Sequence, residues 1–134
     1  FDPLAVAVPY AHHLGMEIYA WNTFNEDDHG HDQLPSHFSQ EHPEFHKVDF
    51  QGRVYPGSLD FFFPEVRNYK LAILDELLTY DIDGIMFDIL RHNGAFKFDP
   101  GGTYAFGYND AIKQAYTKKT GANPGPEKNS EPRA

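Results

Sequence analysis

The chain has 134 residues, the length of one domain or part of a larger one, which excludes a two-domain enzyme. Hydrophobic residues make up 40% of it and aromatics 16%, with 12 Phe, 8 Tyr and a single Trp, enough to build a core. A formal charge of −9 argues against a phosphate-binding basic face and hence against nucleic acid and anionic membranes, and the absence of cysteine excludes a disulfide framework, a thiolate metal site and a cysteine nucleophile.

No run approaches the roughly 20 apolar residues of a membrane span. The chain opens without Met or a signal-like segment, so a processed or truncated product is expected. The composition leaves the compartment open.

Residues 2–14 predict the first helix, with Asp2 as cap, Pro3 at the favoured first position and Gly15 as the stop. Val6, Tyr10 and Leu14 form its expected buried stripe, and Pro9 predicts a bend or a shortening. Residues 16–22 (MEIYAWN) follow as a strand, rich in β-favouring Ile, Tyr and Trp.

Residues 23–63 show little periodicity, contain Pro35, Pro43 and Pro56, and carry five of the eight histidines. They predict a long ordered, functional loop with a short helical turn near 43–45, since loops beyond roughly 12–15 residues are usually functional or disordered. The second helix is predicted over 64–80, opened by Pro64-Glu65, with Val66, Ile73, Leu74, Leu77 and Leu78 as its apolar stripe. Residues 83–90 (DGIMFDIL) form a nearly continuous apolar run, the pattern of a parallel strand covered on both faces. After a loop over 93–107, a third helix is expected at 109–120, with Ala111, Ile112, Ala115 and Tyr116 as its apolar face and Gly121 as its stop. From 123 onward almost no apolar residue remains, so the tail 123–134 is expected to be disordered behind a domain of 1–122.

The alternation implies α/β architecture with parallel strands. Two strands do not close a sheet, and a (β/α)₈ barrel needs about 250 residues, so a barrel parent would be represented here by roughly a third to half. Parallel strands place Trp21 and Asn22 at the same C-terminal edge as Asp88, Arg91 and His92, the edge where α/β folds bind ligands.

Asp88 interrupts an apolar run, and a buried carboxylate there costs several kcal/mol unless a cation, hydrogen bonds or a metal compensates. Arg91 and His92 are near enough in sequence to do so; the plainer alternative is a turn cap or a loop-fixing pair with Arg91. Asp83-Gly84, at the opposite edge, reads as the closure of the αβ turn.

Trp21 offers a flat apolar face and Asn22 an amide, a combination suited to a polyhydroxylated ligand. Tyr19, Tyr55, Tyr104 and Phe61-Phe62-Phe63 extend a possible stacking platform, although aromatic runs more often form core. Asp27, Asp28, His29, His31 and Asp32 in NEDDHGHD offer imidazole and carboxylate ligands for a divalent metal, and solvated polar loops look the same. His37, His42 and His46 follow no ligand spacing, and His12-His13 suit the negative end of the first helix.

AHHLGMEIYAWNTF, EHPEFHKVDFQGRVYPGSLDFFFPEVRNYKLAILDEL, YDIDGIMFDILRH and FGYNDAIKQAYTKKTGANP together resemble glycosyl-hydrolase-like family 10. The resemblance rests on His42-Pro43-Glu44-Phe45, Pro64-Glu65-Val66-Arg67 and Asp83-Gly84-Ile85-Met86-Phe87-Asp88 in order and approximate spacing. It implies a (β/α)₈ barrel to which this chain supplies about the third and fourth strands, with an oligo- or polysaccharide substrate and no cofactor. Asp88 is then expected as nucleophile or transition-state stabiliser, Arg91 as the group keeping it ionised, and Tyr19, Trp21, Asn22 and His92 as the sugar-site lining. Asp99 and Asp110 fall in a loop and at a helix start, so this stretch supplies one carboxylate of the pair that glycosidases use, and is expected to be inactive without the remainder of a barrel. A non-catalytic sugar-binding or scaffold barrel and a metal site in the His/Asp loop are the alternatives.

Overall fold

The computed structural model describes residues 1–25, 27, 34–88 and 106–124. Helix α1 spans Pro3–His13, and both of its predicted ends are present. The Asp2 carboxylate accepts the Leu4 and Ala5 amides, each at 3.1 Å, and Gly15 takes the positive φ that ends the turn. The helix runs through Pro9 unshortened.

The face of α1 differs from the expected one. Val6, Tyr10 and Leu14 are exposed, while Val8 and Ala11 are buried. Polar ties decide the roll of the helix: Tyr80 donates from its hydroxyl to Asp2 at 2.6 Å, and His12 meets Asp83 at 3.0 Å. Those ties turn Leu4, Val8, Ala11 and His12, spaced i, i+4, i+7 and i+8, toward the rest of the chain.

Strand β1 (Tyr19–Thr23) pairs in parallel with β4 (Gly84–Asp88), as the alternation predicts. The stretch expected as one loop is largely regular. It holds α2 (His37–Glu41), a 3₁₀ turn at Pro43–Phe45, and an antiparallel pair of β2 (His46–Val48) and β3 (Val54–Leu59). Three residues are too few to show a period of two, and Pro56-Gly57 inside β3 reads as a turn. The 3₁₀ turn falls where the sequence places it.

Helix α3 (Pro64–Leu77) stops three residues before its predicted end, leaving Tyr80 free to reach Asp2. Val66 is fully buried, Ile73, Leu74 and Leu77 are half-buried, and Leu78 is exposed. Helix α4 (Asp110–Thr120) begins after Asn109 and ends at left-handed Gly121. Of its predicted apolar face only Ile112 is half-buried, with Ala111, Ala115 and Tyr116 exposed. An antiparallel bridge between Asp49 and Phe106 ties the approach to α4 onto the hairpin.

The described residues thus form a mixed α/β structure with two two-stranded sheets. β4 is not covered on both faces, since Met86 and Phe87 are exposed. The tail beyond 124 and the loop over 93–105 lie outside the described residues.

Candidate functional site

The register of the parallel pair places the strand-end residues. Tyr19 lies beside Gly84, Trp21 beside Met86 and Thr23 beside Asp88; Ala20 and Asn22 lie beside Ile85 and Phe87. Side chains alternate along a strand, so the first set shares one face and the second set the other. Within β1 burial separates the two faces, Trp21 being 69% exposed and Ala20 7%, while Phe87 on the second face is exposed as well.

One face therefore presents Tyr19, Trp21 and Met86 to solvent, with Thr23 and Asp88 at its C-terminal end. Asp88 is half-exposed rather than enclosed, so most of the desolvation cost expected for it falls away. Its carbonyl accepts the Phe24 amide at 3.1 Å, which fixes where both strands finish. Behind the sheet, Phe24 stacks on Phe61 at 5.3 Å and meets Phe87 edge-on at 5.5 Å.

Asn22 belongs to the opposite face from Asp88, which separates two residues that the sequence reading groups together. Tyr19 stands at the start of β1, about 13 Å along the strand from Thr23. Its hydroxyl donates to Glu17 at 2.9 Å, a bond that raises the phenol above its ordinary range, and its ring lies over Gly84, where an added Cβ would come within 2.8 Å of it. Arg91 and His92 lie outside the described residues.

At the other edge, Asp83 closes the turn as its position predicts. Its carboxylate accepts the Ile18 amide at 2.8 Å and the His12 ring at 3.0 Å, and its own amide donates to the Ile18 carbonyl. The Ile18 amide foremost, with His12 second, holds this carboxyl below its ordinary range.

Of the metal candidates, Asp28, His29, His31 and Asp32 lie outside the described residues. Asp27 is buried and already engaged: Lys70 Nζ donates to Oδ1 at 2.7 Å, and the Ser36 hydroxyl donates to Oδ2. No group of three metal-ligating side chains occurs among the described residues. His46 is buried against Ser39, and His42 meets Glu44 at 3.1 Å while stacking on Phe45. Phe61 and Phe63 are half-buried and pack on other rings, the core role expected of most aromatic runs, whereas Phe62 is exposed.

Sequence reasoning missed the buried Asp27–Lys70 pair, although a signal for half of it was present. Lys70 falls one helical turn after Val66 and one before Leu74, a lysine set within an apolar stripe.

The fold and the strand-edge face define a mixed α/β protein with an open aromatic surface leading to a carboxylate. No protein-family model, curated protein or solved structure matches the chain.

Proposed function

We propose that this chain is part of a carbohydrate-active (β/α)₈ barrel of glycoside-hydrolase type, contributing about its third and fourth strands, with Asp88 as the charged group of the sugar site. The observation that supports it is the β1–β4 register, which sets Trp21 and Asp88 on the same face of a parallel pair, two residues apart along the strand direction. In this reading the indole stacks on the apolar face of a sugar ring, and the carboxylate faces the positive charge that develops at the anomeric carbon. Thr23, beside Asp88, is placed to donate a hydrogen bond to it or to a sugar hydroxyl.

Hydrolysis also needs a second carboxyl, about 5–5.5 Å from the first in retaining enzymes and about 6.5–9.5 Å in inverting ones. One observation favours sugar binding without turnover as a second reading: β1 and its exit through Asn25 carry no acidic residue to face Asp88.

Trp21, the single Trp, reports on the site directly. Titration with neutral oligosaccharides is expected to shift and quench its emission, and Trp21→Phe to remove the fluorescence signal while weakening binding only modestly by calorimetry. In a longer chain that carries the rest of a barrel, Asp88→Asn is expected to cut hydrolysis roughly a hundredfold or more. Binding without turnover in that longer chain selects the second reading; neither binding nor turnover overturns both.

A further inference from the structure

At the edge of the sheet opposite Asp88, an open groove of about 450 Å³ lies between α1 and the turn that enters β4. Leu4, Ala5, Val8 and Pro9 give it an apolar wall along one face of the helix, and His12, Tyr80 and Asp81 complete its lining. Its volume falls among those of small-molecule sites, about 300–1,000 Å³. Pro9 and Asp81 are exposed, so solvent reaches it. The Tyr80 hydroxyl is spent on Asp2 at 2.6 Å, and Pro9 has no N–H, so the Ala5 carbonyl four residues earlier lacks its helical donor. The groove thus presents acceptors rather than donors.

Two nearby carboxylates are already engaged. Asp2 accepts the Tyr80 hydroxyl with the Leu4 and Ala5 amides, and Asp83 accepts the Ile18 amide and the His12 ring. Asp81 differs: its side chain is 96% exposed and stands 3.7 Å from His12 Nδ1, beyond hydrogen-bond length. The bond to Asp83 also sets the tautomer of His12. Because Asp83 is a carboxylate, Nε2 carries the proton donated to it, and in the neutral ring Nδ1 is left as an acceptor facing Asp81. Two acceptors 3.7 Å apart, one of them anionic, admit a single ammonium group donating to both at about 2.9 Å. A hydroxyl, with one proton and no charge, satisfies only one of them.

We infer that this groove binds a primary organic ammonium, its head between Asp81 and His12 Nδ1 and its short apolar body along Leu4, Val8 and the Tyr80 ring. Protonated His12 opposes such a ligand twice, by adding a like charge and by turning Nδ1 from an acceptor into a donor. The neutral ring is therefore the binding form. Asp83 foremost, and Asp81 from the same turn, favour the protonated ring, so the groove takes up its ligand as pH rises through the His12 titration. The site lies at the opposite end of the strands from Asp88, and this inference is independent of the sugar-site reading.

The test is titration of the folded chain with phenethylamine, followed by amide NMR and calorimetry, beside its neutral isostere 2-phenylethanol. At about pH 8.5, where such an amine is still charged, it is expected to shift the Ala5, His12, Tyr80 and Asp81 signals and to bind about tenfold more tightly than the alcohol. Its affinity is expected to fall severalfold at about pH 5.5, as His12 takes up its proton. Asp81→Asn, at an exposed position that leaves the His12–Asp83 bond in place, is expected to weaken the amine roughly tenfold at about pH 8.5. Amine and alcohol binding alike, an affinity that does not change with pH, a folded Asp81→Asn protein that binds as before, or shifts confined to Trp21 and its neighbours each overturns the inference. Should the variant not fold, the amine–alcohol and pH comparisons in the unaltered chain decide alone.

Discussion

Lys70 carries its charge into the chain on the same helical stripe as Val66, and the carboxylate of Asp27 meets it with both side chains almost wholly buried. Removing one member of such a pair leaves the other charged and desolvated. Lys70→Ala is therefore expected to cost about 3–5 kcal/mol, whereas replacing both residues by apolar ones of similar size costs far less. Urea-midpoint comparison of Lys70→Ala with the double variant Asp27→Leu/Lys70→Met checks this; a single variant no worse than the double would show that the pair is hydrated. The sequence shows an out-of-place lysine in an apolar stripe but not its partner, which lies 43 residues earlier in a stretch with no readable period. At the strand edge the same limit works differently. Trp21 and Asp88 are legible as neighbours from strand direction, and the period of two, equally legible, sets Asn22 on the other face from Trp21.

At the level of elements, α1 is held at both ends by side chains from the turn before β4. Tyr80 reaches Asp2 at its N-terminus, and Asp83, with Asp81 at 3.7 Å, receives His12 at its C-terminus. The bond to Asp83 is the main cause that raises His12 above its unfolded value of 6.5, and the same ring helps lower Asp83 below 3.8. A raised histidine contributes stability that is complete below its unfolded value and fades as pH climbs through the folded one. A lowered carboxyl contributes above its unfolded value and fades as pH falls through the folded one. The clasp is thus fully present between pH 3.8 and 6.5, and it weakens on the alkaline side as His12 deprotonates. The melting-temperature gap between the unaltered chain and His12→Ala is expected to be wide near about pH 5.5 and to narrow by about pH 8.5. A gap that stays constant over that range would rule out the charged clasp. Both ends of α1 are legible in Asp2-Pro3 and Gly15 because caps are local; its buried face is not, because its polar ties run to Tyr80 and Asp83, more than 70 residues from Asp2 and His12.

Across the described residues as a whole, few apolar side chains are buried. Among the described residues the buried hydrophobic side chains are Val8, Ala11, Ala20, Leu59 and Val66, while Trp21, Met86, Tyr10 and Val6 stand more than half exposed. The α/β class and the parallel pairing were legible because they follow from the order of short local signals. What covers the Tyr19–Trp21–Met86 face was not, since that depends on surfaces that the described residues do not supply. So thin a core concentrates stability in few places. Leu59 ends β3 at 1% exposure opposite His46, where the hairpin meets the 3₁₀ turn through the Asp60 amide and the Phe45 carbonyl. Truncating a buried leucine to alanine costs about 2–5 kcal/mol, against a total of about 5–15 kcal/mol for an ordinary domain. With so few buried apolar side chains among the described residues, the loss is expected to consume most of the stability, so that Leu59→Ala melts broadly while the exposed Leu78→Ala keeps a single sharp transition. Calorimetry of the two variants side by side makes the comparison, and a Leu59→Ala protein that still melts cooperatively within a few degrees of the unaltered chain would show that the stabilising core lies elsewhere.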